Sequence, residues 1–148
     1  MLTRPCGLFS VFVLSGVLLA GCGSSTGLSA DASHAANTLT RAFHALGTGD
    51  GGTVCSLATT AGRKSLASAV PHSTCAQVVT LVSAHLTTKQ KAALGSVKVR
   101  KVSVKGNLAT VRAKDISSTQ GSFKGFLSAN SAPERLSKQS DGTWKIAG

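Results

Sequence analysis

The chain has 148 residues, enough for one folded domain, and it carries sixteen Lys and Arg against five Asp and Glu, a formal net charge of +11. It contains no tyrosine, one tryptophan and five phenylalanines. This composition excludes a nucleic-acid-binding surface built on a series of stacking aromatic residues. It also leaves few side chains for general acid–base catalysis.

The first 21 residues have the three parts of an export signal, namely a cation at Arg4, an apolar run over 8–19 and a small-residue site at Ala20-Gly21. The apolar run is shorter than the roughly 20 residues that a membrane-spanning helix needs. An ordinary secretory signal and an uncleaved anchor helix are the alternatives to a cleaved lipoprotein signal.

The four residues Leu19-Ala20-Gly21-Cys22 resemble the lipobox of bacterial lipoproteins, in which the bond before the cysteine is cut and its thiol carries a diacylglyceryl group. The resemblance implies that 1–21 is a cleaved signal peptide and that Cys22 anchors the protein to the extracytoplasmic face of the cell membrane. Residues 22–29 have the composition of a flexible linker with a reach of about 15 Å. We therefore expect the folded domain over 30–148.

Of the four cysteines, Cys6 lies in the predicted signal and Cys22 takes the lipid, which leaves Cys55 and Cys75. An exported compartment is oxidising, so we predict that these two form a disulfide. The alternative is a metal site with His72 and His85, but the spacing matches no usual zinc pattern. We predict no metal and no cofactor.

The first half of the domain reads as helices. An apolar series at Ala35, Leu39, Ala42, Phe43 and Leu46 predicts an amphipathic helix that starts at Ser29 or Asp31 and ends at Gly47 and Gly49. Further expected features are an N-cap at Asp50, a helix from Thr60 to Val70, a capping box formed by Thr74 and Gln77, and a short turn over Lys89–Leu94.

The second half reads as strands, because apolar residues alternate from Val97 onward. The alternation shifts by one residue at Arg100-Lys101, which predicts a β-bulge. A turn at Gly106-Asn107 and a two-residue hairpin at Asp141-Gly142 follow. Inward-facing positions are expected at Ala109, Val111 and Ala113, then at Phe123, Gly125 and Leu127, and finally at Leu136, Trp144 and Ile146. The predicted class is α+β, with N-terminal helices packed on a curved antiparallel sheet.

Five features in chain order resemble the small actinobacterial lipoproteins that carry an NTF2-like (SnoaL-like, cystatin-related) domain. They are the helix ending in Gly49-Asp50, Val54-Cys55-Ser56-Leu57, Cys75-Ala76, the run from Val102 to Val111, and the closing Asp141 to Ile146. The resemblance implies a cone-shaped α+β fold with a pocket between helices and sheet, used for binding, dimerisation or catalysis. Catalytic members place Tyr, Asp or His in the pocket, whereas this chain has no Tyr and few acidic residues.

Strand parity places Asp115 on the inner face with Ala109 and Val111, so it is the one weak candidate for a catalytic base; a turn at the strand end is the competing interpretation. Phe43, Val111, Phe123 and Trp144 are the expected pocket lining, although core packing explains them equally well. None of the four histidines is assigned a role, and we expect His34 and His44 to be exposed.

Eight of the sixteen cations fall between Lys89 and Lys114. Their expected counterparts are anionic lipid headgroups or wall polymers, and a solvated basic face is the alternative. Three functions follow: a non-enzymatic lipoprotein that binds a small apolar ligand or an envelope partner, a SnoaL-like enzyme that uses Asp115, and a module that dimerises on anionic surfaces. No nucleic-acid partner is expected, and the sequence does not predict the oligomeric state.

Overall fold

Helices fill the first half of the domain and strands the second half, which confirms the α+β class. The computed structural model describes residues 27–120 and 132–148. The elements in chain order are α1 (Ala30–Thr48), α2 (Gly51–Leu57), α3 (Thr60–Ser68), α4 (Cys75–Ala84), α5 (Thr88–Gly95), β1 (Val97–Val99), β2 (Ser103–Lys105), β3 (Leu108–Val111), β4 (Ile116–Ser118), β5 (Glu134–Lys138) and β6 (Trp144–Ala147). Within the described ranges, no helix is both long and apolar enough to cross a bilayer.

Helix α1 begins and ends at residues that satisfy its free backbone groups. Ser29 is the N-cap, and its hydroxyl accepts a hydrogen bond from the backbone N–H of Ala32 at 3.3 Å. Gly49 takes the left-handed conformation with φ 76° and caps the carboxyl end. The predicted end at Gly47 is wrong, because that glycine is a buried helical residue. A methyl group on it would lie 3.1 Å from Cβ of Leu94, so the missing side chain lets α5 pack closely.

The later helices confirm two predicted caps and add a helix that was missed. The Asp50 carboxylate accepts from the backbone N–H of Thr53 at 2.9 Å, and Thr74 with Gln77 forms the expected capping box of α4. The predicted turn over Lys89–Leu94 is wrong. Thr87 and Gln90 form a second capping box, with Thr87 N–H donating to Oε1 of Gln90 at 2.8 Å, so the segment folds as α5.

The strands form two antiparallel sheets rather than one. β1 pairs with β4, and the four-stranded sheet has the order β2-β3-β5-β6. The predicted β-bulge at Arg100-Lys101 is wrong: residues 100–102 carry the chain from the first sheet to the second, and Arg100 N–H donates to the carbonyl of Asp115 at 2.7 Å. The shift in alternation therefore marks a change of sheet.

The two predicted hairpin turns are present, but one has a different length. Gly106 has φ 56° in the β2–β3 turn. In the β5–β6 connection, Gln139 N–H donates to Thr143 O at 2.7 Å and Gly142 N–H to Gln139 O at 3.0 Å. With Gly142 at φ 82°, this is a three-residue loop that ends in a left-handed glycine, not a two-residue turn. The expected strand with Phe123, Gly125 and Leu127 lies outside the described residues.

The main core lies between α1 and the inner face of the four-stranded sheet. Leu39, Val111 and Leu136 are almost completely buried there, and Thr38 Oγ1 donates to the backbone carbonyl of Trp144 at 3.3 Å. The core continues past α5 to β1 and β4, so α1 contacts both sheets. The expected inward positions at Ala109, Val111, Leu136 and Trp144 are confirmed by their burial.

Helices α2 and α4 are joined by the disulfide between Cys55 and Cys75, whose Cα atoms are 6.1 Å apart. Gly51 lies one helical turn before Cys55 on the same face of α2. A methyl group on Gly51 would lie 2.5 Å from the carbonyl oxygen of Ala76. The bare backbone of Gly51 and the disulfide thus hold the two helices in close contact.

Candidate functional site

A basic groove lies on the outer face of the β2–β3 pair, the face opposite the helices. Successive strand residues point to opposite faces, so Ala109 and Val111 enter the core while Leu108 and Thr110 point outward. The register pairs Ser103 with Thr110 and Lys105 with Leu108 across the two strands. These two cross-strand pairs form the centre of the groove.

Cations extend the groove beyond the paired residues. Lys101 and Arg112 lie two residues outside Ser103 and Thr110, so they have the same outward parity. A single 3-10 turn over Ala113–Asp115 brings two more side chains to its rim. The groove has a volume of about 360 Å³ and is lined by Lys101, Ser103, Lys105, Leu108, Thr110, Arg112, Lys114 and Asp115.

Among the described residues, no ion pair neutralises the cations of the groove. Its lining contains four cations and one carboxylate. In the part of the chain that the structure describes, the only ion pair within 4.0 Å joins Lys138 to Asp31, and neither residue lines the groove. The groove therefore presents uncompensated charge to solvent.

Three of the other four carboxylates have hydrogen-bond partners away from the groove. The Lys138 ammonium, 2.7 Å from Asp31, holds the pKa of that carboxyl below its usual value. Hydrogen bonds from the hydroxyl and N–H of Thr53 lower the pKa of Asp50, and those of Thr143 do the same for Asp141. All three stay ionised at neutral pH in local structural roles, away from the groove.

Asp115 is not on the inner face, so the strand-parity basis for a catalytic role is wrong. The 3-10 turn interrupts the strand after Val111 and resets the alternation of side chains. Its carboxylate lines the outer groove beside Lys114 instead of facing the helices. The competing interpretation is confirmed, since Asp115 lies in a turn that follows the end of β3 and precedes Ser117.

Glu134 is the carboxylate that the sheet does place on its inner side, and it was not predicted from the sequence. It shares the parity of buried Leu136 on β5 and pairs with Val111 of β3. It is half-buried, and this burial raises the pKa of its carboxyl. The signal in the sequence was its spacing from Leu136, which becomes usable only when the strand register is known.

The expected pocket residues lie in the core as far as they are described. Phe43, Val111 and Trp144 belong to one buried cluster, with exposed fractions of 9%, 0% and 3%. Phe123 lies outside the described residues, so the pocket itself stays a prediction. All four histidines are exposed, which confirms the expectation for His34 and His44. No group of three potential metal ligands occurs among the described residues.

Comparison with protein-family models, with curated proteins and with solved structures finds no match for this chain. What the geometry defines is an α+β domain with a cross-linked helical layer and a basic groove on the outer face of its β2–β3 pair.

Proposed function

We propose that this chain is a non-enzymatic lipoprotein, anchored through Cys22 to the extracytoplasmic face of the cell membrane, whose domain binds an anionic partner of the envelope in the basic groove. The observation that carries the proposal is the set of four cations around one concave surface, none of which forms an ion pair with another described residue. The anchoring rests on the lipobox-like Leu19-Ala20-Gly21-Cys22. The NTF2-like cone is part of the same proposal and rests on the sequence resemblance.

The groove has the donors that recognition of phosphate or carboxylate groups requires. Arg112 offers a planar fork for bidentate hydrogen bonds, and the lysines supply compact charges. Ser103 and Thr110 add hydroxyl donors at the centre. An extended polyanion fits this arrangement better than a small apolar ligand does. The apolar-ligand and SnoaL-like alternatives stay predictions that concern the inner side of the sheet.

The binding proposal is tested with the full-length protein in a neutral detergent, titrated with inorganic polyphosphate at low salt. Each exposed ion pair contributes up to about 1 kcal/mol, so Lys105→Gln combined with Arg112→Gln should weaken binding roughly tenfold. The matched control is Lys89→Gln combined with Lys91→Gln, which removes the same charge from α5 outside the groove. Equal losses in both variants, or no saturable binding, would contradict the proposal.

The anchoring proposal is tested by mass spectrometry of the protein purified from membranes. The expected amino terminus is Cys22 with a diacylglyceryl group. An intact chain that starts at Met1 with an unmodified Cys22 would overturn it. This measurement is independent of the groove, so the two parts of the proposal can fail separately.

A further inference from the structure

The β2–β3 hairpin lies at the same end of the domain as the start of α1. The backbone N–H of Lys138 donates to the carbonyl of Asn107 in the hairpin turn at 2.8 Å. The side chain of the same lysine reaches Asp31, the second residue of α1, at 2.7 Å. The hairpin turn and the amino end of α1 are therefore within the span of one lysine.

The short linker places this end of the domain close to Cys22. Eight residues, 22–29, span at most roughly 29 Å even when fully extended. An anchor at Cys22 thus keeps the hairpin near the membrane surface. At this distance from the membrane the groove can contact anionic headgroups of the leaflet. A polymer farther from the membrane is less accessible to it.

Leu108 gives the hairpin an apolar contact point among its cations. Its side chain is 45% exposed on the outer face, directly across from Lys105. On the other side it neighbours Ser137 of β5. An apolar side chain flanked by cations suits the lipid interface, where apolar groups enter the boundary with the acyl chains and cations stay at the headgroups.

Leu81 has nearly the same exposure as Leu108 but lies elsewhere on the domain. Leu81 is 46% exposed on α4, a helix that packs against Ala45 near the carboxyl end of α1 through Val79. At 1.5 Å of rise per residue, Ala45 is about 20 Å along α1 from Asp31. Leu81 therefore matches Leu108 in residue type and exposure but not in position.

We infer that the anionic partner of the groove is the headgroup layer of the membrane itself, with the β2–β3 hairpin lying on it and Leu108 at the lipid boundary. This inference rests on the proposed function and names its partner. Lys105, Arg112 and the other groove cations lie over anionic headgroups. Each cation near the surface contributes enough to change binding about fivefold.

The experiment reconstitutes the full-length protein into nanodiscs of phosphatidylcholine, with or without phosphatidylglycerol and with brominated acyl chains as quenchers. Leu108→Trp introduces a reporter at the hairpin, and Leu81→Trp is the control. Trp144, present in both variants, is buried and contributes an equal background. We expect quenching for Leu108→Trp in the anionic discs, much weaker quenching in the neutral discs, and none above background for Leu81→Trp.

A third variant controls for membrane contact caused by the introduced indole itself and not by the groove cations. Adding Lys105→Gln and Arg112→Gln to Leu108→Trp should abolish the extra quenching in anionic discs. Equal quenching in neutral and anionic discs, quenching at position 81 instead of 108, or failure of the protein to incorporate would overturn the inference. Polyphosphate binding in detergent distinguishes failure of the lipid inference from failure of the anion-binding proposal. If only the lipid partner is wrong, polyphosphate still binds; if the groove binds no anion, polyphosphate binding is absent.

Discussion

Gly51 lies against the backbone of α4, so replacing it with alanine tests the packing of the helical layer. The added methyl group would lie 2.5 Å from the carbonyl oxygen of Ala76 and 2.8 Å from its Cα. Both are backbone atoms that no rotamer change can move. The nearby Cys55–Cys75 disulfide keeps the two helices from separating freely.

The expected magnitude follows from two opposing effects. Forcing an extra methyl group into a packed contact costs about 1–3 kcal/mol, and the better helix propensity of alanine returns at most about 1 kcal/mol. Gly51→Ala should therefore lower the free energy of unfolding by about 1–2 kcal/mol. At neighbouring Gly52 the nearest atom to a new methyl group is Oδ1 of Asp50 at 3.5 Å, an ordinary contact. Gly52→Ala should be neutral or stabilise by up to about 1 kcal/mol.

The assay is urea unfolding of both variants, followed by far-ultraviolet circular dichroism under non-reducing conditions. The slope against urea should be unchanged, so the midpoints report stability directly. If Gly51→Ala unfolds at the same midpoint as Gly52→Ala, the close approach to Ala76 does not constrain the fold and the reasoning is refuted.

Three further changes test the fold by the same assay. Replacing Cys55 and Cys75 together with alanine should cost about 3 kcal/mol for a loop spanning 20 residues, and the unchanged protein in reductant should lose as much; no loss in either would exclude a stabilising bridge. Leu136→Ala in the fully buried centre of the sheet should cost about 2–5 kcal/mol, and a cost below 1 kcal/mol would contradict its central place. Burial raises the pKa of the Glu134 carboxyl, so the folded state binds the carboxyl proton more tightly than the unfolded state does. The free energy of unfolding should therefore fall as the pH rises from below 4.5, the ordinary pKa, through the raised pKa of the folded state. Glu134→Gln should thus be more stable than the unchanged protein at neutral pH and lose this advantage in acid; a difference independent of pH would argue against the shift.

Local capping rules predicted the helix starts because each depends on residues within three positions of one another. Asp50 and Thr74 cap the helices that follow them, as expected from their side chains alone. The missed helix α5 obeys the same rule, since Thr87 and Gln90 form a box of the same type. That element was predictable, and the lysines between its few apolar residues obscured it.

The second half of the domain was harder to predict, because the pairing between strands, and not the local sequence, decides its geometry. The shift in alternation at Arg100-Lys101 was visible, but a bulge and a change of sheet produce the same pattern along one strand. Only the pairing of β1 with β4 distinguishes them. The predicted position of Asp115 on the inner face was wrong for a related reason. A 3-10 turn of three residues changes which face the following side chains point to, and no residue in the sequence marks it.

The groove was predicted as a concentration of charge but not as a site. Eight cations between Lys89 and Lys114 were evident, yet composition cannot tell which of them share a surface. The β2–β3 pairing and the 3-10 turn bring four of them to one surface. The other four, Lys89, Lys91, Lys98 and Arg100, do not line it. A concave arrangement of like charges depends on register, which the alternating pattern leaves undetermined.

The packing of α1 on β5 and β6 has a consequence for biogenesis. Asp31 bonds to Lys138 and Thr38 to Trp144, so the first helix is held by the last two strands, 107 and 106 residues away. Until those strands are made, the apolar stripe around Leu39 has only earlier strands beside it, and the side on which Leu136 and Trp144 pack stays uncovered. Contacts over such a long sequence separation form slowly, and the apolar surface exposed before they form favours aggregation. A chain that ended before Trp144 would therefore leave part of its first helix exposed.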